Sequence, residues 1–194
     1  LESKLEIEFE KYYSKFFLPS SRSQAGGSKK RYAGVLVDAG VERVVFTGME
    51  FVRSDWTNAA KNFQKELYER VFFSEPYKEW MKLFIKDLWA GKMDEDLVYR
   101  KRLTKPVDEY IRNIPPHVKA AKIYMEEMNF SDVRRIEYIM TPSGPWPSGV
   151  GEHSLDYAHY IEKQIMPIAD DILQFLGESF NDVVNGRQGS LFDF

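Results

Sequence analysis

Lys29-Lys30-Arg31-Tyr32-Ala33-Gly34 packs three cations against an aromatic and two small residues, between Gly26-Gly27-Ser28 and the apolar run Val35-Leu36-Val37. Such a stretch suits a nucleic-acid backbone. Lysine and arginine neutralise phosphates, a tyrosine lies along a sugar or base edge, and small residues let the main chain approach closely. A second dense block, Gly48-Met49-Glu50-Phe51-Val52-Arg53-Ser54-Asp55-Trp56, follows where the strand-like Arg43-Val44-Val45-Phe46 runs into a helix start. A third cationic run is Tyr99-Arg100-Lys101-Arg102, with Lys105 after it.

The order and spacing of the first two blocks resemble the family-B DNA polymerases, in which a KKRYAG-type segment of the palm precedes a GLE-x-VRRDW-type segment leading into the thumb. The bacterial branch of DNA polymerase II type is the most similar. The resemblance runs on through Val98-Tyr99-Arg100-Lys101-Arg102-Leu103, Tyr110, Pro115-Pro116-His117-Val118-Lys119-Ala120-Ala121, Tyr138 to Thr141 with Gly144-Pro145, and Leu155-Asp156-Tyr157 with Tyr160, Gln164 and Pro167. It covers nearly the whole chain. Thr47 and Ser54 depart from it, standing where lysine and arginine are common in the family, so two phosphate contacts are missing.

The resemblance implies an α+β fold: residues 1–52 as the last antiparallel strands of a palm, 53–186 as a mainly helical thumb, and 187–194 as a tail. It implies DNA contacts by Lys29, Lys30, Arg31, Tyr32, Gly34, Arg53, Tyr99, Arg100, Lys101 and Arg102. His117 has two readings, a phosphate contact or helix cap on one side and a structural histidine on the other. A polymerase must hold every sequence, so its contacts belong on phosphates and the minor groove. The tail Gln188-Gly189-Ser190-Leu191-Phe192-Asp193-Phe194 looks like the bacterial sliding-clamp-binding peptide, with Gln188, Leu191 and Phe192 as the clamp-binding residues. The partners implied are primer-template DNA, a sliding clamp and the rest of a polymerase chain.

The catalytic motifs of that family are missing. Neither a DxxSLYP-type nor a YGDTDS-type segment occurs, so the two metal-binding aspartates are absent and phosphoryl transfer through two magnesium ions cannot be assembled here. The Mg2+ belongs to a parent enzyme, a DNA-directed DNA polymerase; this piece is expected to bind no cofactor and to be inactive alone. Glu8 and Glu10 share a strand face, which makes Glu10 a candidate auxiliary neighbour of a metal, against the plainer reading of a solvated acidic face. The opening in mid-strand without methionine is read as a cut within a longer protein. A stand-alone, non-enzymatic DNA- or clamp-binding adaptor is the alternative.

Composition narrows the field. A net charge of -3 and a pI of about 5.7 exclude a generic basic coat protein, so any DNA binding is confined to patches. With no cysteine, disulfides, thiolate nucleophiles and cysteine-based zinc sites are ruled out. His117, His153 and His159 lack zinc-ligand spacing, and no P-loop or dinucleotide loop occurs. The absence of a long apolar run and of a secretory leader fits a cytoplasmic, nucleoid-associated setting.

The elements that must position these residues are legible in the periodicity. Leu5, Ile7 and Phe9 alternate with acids as a strand, Tyr12 to Leu18 continues apolar, and residues 19–28 form a connection. Tyr32 to Val37 and Arg43 to Phe46 are expected to pair across Asp38-Ala39-Gly40. Ala60, Phe63, Leu67 and Val71 mark a helix, and Trp80, Leu83, Phe84 and Leu88 the face of the next, which stops near Gly91. A short strand at Val98 to Leu103 is expected to pair with Arg135 to Met140. Helices are expected over Pro106 to Arg112 and Pro116 to Met128, a loop over Pro142 to Gly151, and a helix from Leu155 that breaks near Pro167 and resumes through Phe175.

Overall fold

The computed structural model describes residues 10–19, 30–112 and 114–186. Two antiparallel sheets of three strands alternate with helices, an α+β arrangement as expected. In the first sheet β1 (Tyr12–Phe17), β2 (Tyr32–Asp38) and β3 (Val41–Thr47) lie in chain order. Ala39 and Gly40 both take positive φ (48° and 81°), the double left-handed turn whose twist matches two adjacent strands. Alternation along β2 sends Ala33 and Val35 to the main core.

Thr57 caps α1 (Asn58–Phe72), its hydroxyl accepting from the Ala60 N–H and donating to the Gln164 side-chain oxygen. Helix α1 buries Ala60, Phe63, Leu67 and Tyr68, with Phe63 stacked on Trp80 at 5.3 Å. In α2 (Lys78–Trp89) the expected inward face holds at Leu88, Trp80 and Phe84 but not at Leu83, which is 54% exposed; Met81 and Ile85 are buried instead. The i, i+4, i+7 set from Met81 is the core stripe; Trp80 and Phe84 flank it against Phe63. The helix ends as expected, with Gly91 at φ 73°.

The second sheet, β4 (Tyr99–Arg102), β5 (Arg135–Thr141) and β6 (Gly144–Pro147), packs on α3 (Pro116–Met128) around Leu103, Val107, Val118, Ile136 and Tyr138. Tyr99 and Met140 pack against both cores. Two expectations are corrected. The helix over Pro106 to Arg112 is only a 3-10 turn at Val107–Glu109. The proline-rich loop folds back as β6, a sheet-edge strand, where the missing N–H groups of Pro145 and Pro147 cost no central ladder bond.

The C-terminal helix does not break at Pro167. Helix α4 (Tyr157–Tyr160) passes through a π-helical stretch, Ile161–Ile165, into α5 (Met166–Leu173), so the wider turn just before the proline absorbs its missing donor. Helix α6 (Phe180–Asn185) follows, capped by a reciprocal Ser179–Asp182 box. Among the described residues no helix is long and apolar enough to cross a membrane.

Candidate nucleic-acid interface

The cationic strand β4 meets β5 in a register that decides the charge of the surface. Arg100 lies opposite Glu137 and Arg102 opposite Arg135. The first pair is self-neutralising, with Arg100 Nε donating to Glu137 Oε1 at 3.0 Å. The second sets two exposed guanidinium groups side by side, and among the described residues neither is in an ion pair. Like charges directly opposite cost stability in a two-strand ladder, so the arrangement suits a surface that receives an anion.

Around this pair the chain leaves a concavity of about 410 Å³, lined by Ser54, Lys61, Arg100, Lys101, Arg102 and Arg135 together with Ile136 and Glu137. Lys61 arrives one turn into α1, a position fixed by the buried Thr57 cap. Lys101 points to the other face of β4, its Nζ 3.7 Å from Asp55. Asp55 is also held by Arg53, whose Nε and Nη2 donate to its two oxygens at 3.0 and 2.8 Å; these bonds, ahead of the lysine, keep its carboxyl below the usual range. Arg53, expected on DNA, is thus engaged by Asp55. Sequence reading missed Lys61, and counted Arg135 among the clustered cations without making it a site residue. The signal for Arg135 was there, in the β4–β5 pairing that puts it opposite Arg102.

Tyr99 turns inward: its ring stacks on Tyr138 at 5.0 Å and Tyr160 at 5.6 Å, and its hydroxyl meets His159 Nε2 at 3.0 Å. Burial pushes its ionisation far above the ordinary range. His117 is half-buried at the start of α3, edge-on to Tyr110 at 6.5 Å; burial first, then the Lys101 charge, lowers its pKa. Pro115 stands at the cap position just before that helix, and no side-chain cap bond is made, so His117 does not cap it.

At the first sheet the alternation of β2 separates the basic block. Lys30 is exposed, and Tyr32 lies half-buried in a cluster with Phe16 (5.0 Å, stacked) and Tyr13 (6.2 Å, edge-on). Arg31 points inward, with Nη2 donating to Glu50 Oε1 at 2.6 Å and to Asp171 Oδ2 at 3.3 Å. Gly34 is buried; a Cβ there would stand 2.8 Å from the Tyr13 ring and 2.9 Å from the Lys15 carbonyl, so its missing side chain serves the β1 crossing. Gly48, at φ +61°, lies against the Lys30 carbonyl, only 2.0 Å from where its Cβ would stand.

Glu10 is exposed beside Lys11 and Arg43, at the rim of another concavity. Among the described residues no three histidine, aspartate or glutamate side chains converge as a metal site. The described residues therefore do not by themselves form the two-magnesium centre that the resemblance implies for a parent enzyme. Lys29 and the tail residues Gln188, Leu191 and Phe192 lie outside the described residues, as does the expected strand at Leu5 to Phe9.

The family model for DNA polymerase family B matches residues 1–176. The chain belongs to DNA polymerase family B. It is 43% identical over 196 residues to DNA polymerase II of Escherichia coli (strain K12), covering 97% of this chain and 25% of that protein. It is 33% identical to a DNA polymerase of Methanocaldococcus jannaschii, over 94% of this chain and 11% of the relative. Among solved structures, the family B DNA polymerase of the archaeon Pyrobaculum calidifontis matches 81% of this chain and 21% of that one, at 28% identity and a TM-score of 0.61. The chain spans a quarter or less of the length of these relatives.

Proposed function

We propose that this chain is the end of the palm (1–52) and the thumb (53–186) of a DNA-directed DNA polymerase, and that it holds the primer-template duplex by its phosphates. The observation that carries the reading is the unneutralised Arg102–Arg135 pair with Lys61 beside it in one concavity. Three cations at a concave surface of an otherwise acidic chain bind a polyanion of any sequence, as synthesis on any template requires. Lys30 and the Tyr32 cluster form a second contact on the first sheet. The contribution is positioning: a primer end held in register with a reacting nucleotide raises the rate without any group of this chain entering the chemistry.

The primer-extending chemistry, with its magnesium ions, belongs in this reading to other parts of a longer polymerase, and the chain alone does not extend a primer. Residues 187–194 are its sliding-clamp tether, in which Gln188 supplies the amide and Leu191 and Phe192 the apolar anchors. The test is fluorescence anisotropy with labelled primer-template duplex, comparing the chain with Lys61→Gln/Arg102→Gln. Salt-sensitive duplex binding that weakens in the variant supports the grip; equal affinity at low salt overturns it.

A further inference from the structure

Arg31 sits between exposed Lys30, just ahead of the first sheet, and half-buried Tyr32 at the start of β2, and its own side chain turns inward. Its Nη2 bridges two carboxylates remote in sequence, Glu50 before α1 and Asp171 near the end of α5. Both acceptors are shielded, Glu50 at 3% and Asp171 at 11% side-chain exposure. Glu50 is fixed in turn: Gln64 Nε2 donates to its other oxygen at 2.8 Å, and Gln64 Oε1 accepts the Phe51 N–H at 2.7 Å. Among the described residues the buried Arg31 Nε has no hydrogen-bond partner, and the Nη2 end makes the bonds that orient the guanidinium. On the opposite side Gly48 closes on the Lys30 carbonyl.

One arginine thus pins the start of β2 to α1 through Glu50 and to α5 through Asp171. We propose that Asp171 and Glu50 are positioning residues for duplex binding, acting through Arg31 to hold Lys30 at the surface. The helix that follows the π-helical stretch is thereby coupled to the grip of the first sheet. The inference rests on the reading of Lys30 as a phosphate contact. A carboxylate that only stabilised the fold would change affinity independently of Lys30. One that works through Lys30 has nothing left to hold once the lysine is gone, so the two substitutions must be non-additive.

The experiment measures duplex affinity across a salt series for the full chain, Lys30→Ala, Asp171→Asn and the double variant, with circular dichroism confirming each fold. Asp171→Asn is expected to weaken binding in the same direction as Lys30→Ala and to flatten the salt dependence by up to one phosphate contact, about 0.9 in slope. The double variant should bind no more weakly than Lys30→Ala alone, and Asp171→Glu should restore binding. Losses that multiply in the double variant, or unchanged affinity in a folded Asp171→Asn, overturn the positioning role. If Lys30→Ala binds like the parent, the duplex reading of Lys30 falls, and the positioning role falls with it. Should Asp171→Asn unfold, Arg31→Lys, which keeps the cation but ends short of the Nη2 position that joins the two carboxylates, takes its place with the same expected non-additivity.

Discussion

Replacing Arg135 by threonine should stabilise the chain slightly while weakening its hold on duplex DNA. In the β4–β5 ladder Arg135 stands directly opposite Arg102, and among the described residues no acid is paired with either. Directly opposite side chains in such a pair start about 5 Å apart, and two unit charges at that spacing repel by about 0.8 kcal/mol in water, which physiological salt roughly halves. Threonine keeps the strand preference of the position, so the net gain is about 0.4 kcal/mol. For a chain of this size that is a rise of about 1–2 °C in melting midpoint. If Arg135 neutralises one phosphate, its loss reduces the salt slope of binding by about 0.9, and the variant's affinity deficit is about 3.5-fold larger at 50 mM than at 200 mM salt. Calorimetric melts and anisotropy titrations at the two salt concentrations read both effects. A lower midpoint, or a deficit independent of salt, would refute the reasoning that an anion relieves this pair.

Thr57→Ala removes the cap of α1 and its tie to Gln164, and should cost about 1 kcal/mol in urea unfolding. Gly48→Ala forces a side chain into a left-handed backbone position against the Lys30 carbonyl; denaturant unfolding should show at least about 1–2 kcal/mol lost. His117 and His159 both have pKa values lowered below the ordinary 6.5, chiefly by burial. The unfolded chain therefore binds more protons below that value, so stability should be level above about pH 7 and fall as the pH drops through 6.5, and His159→Gln should flatten the decline in pH-dependent melts.

What the sequence disclosed and what it hid follow from different physics. The β2–β3 hairpin was legible because alternation and the Asp38-Ala39-Gly40 turn are local signals. The α2 face was legible at Trp80, Phe84 and Leu88 but misread at Leu83, which is as apolar as Met81 and Ile85, and only the packing on α6 and on Phe63 of α1 decides which stripe turns inward. The strand β6 was hidden by prolines that read as loop, although a sheet edge tolerates them. In the site, the basic blocks stood out by composition, but their partition did not. That Arg31 turns inward depends on Glu50 and on Asp171, 140 residues away, and that Tyr99 stacks inside depends on Tyr138 and Tyr160. Lys61 gave no signal of its own, since a single lysine on a helix joins a site only when the fold brings β4 alongside.

The central claim, a sequence-independent grip on duplex phosphates by cations left unpaired on this chain, is tested most directly by the salt slope of duplex binding for the unmodified chain. With Lys30, Lys61, Arg102 and Arg135 engaged together, the account predicts log K falling with log salt at a slope of about -3 to -4, the same for duplexes of unrelated sequence. A slope near zero, or no duplex binding at low salt, would contradict it.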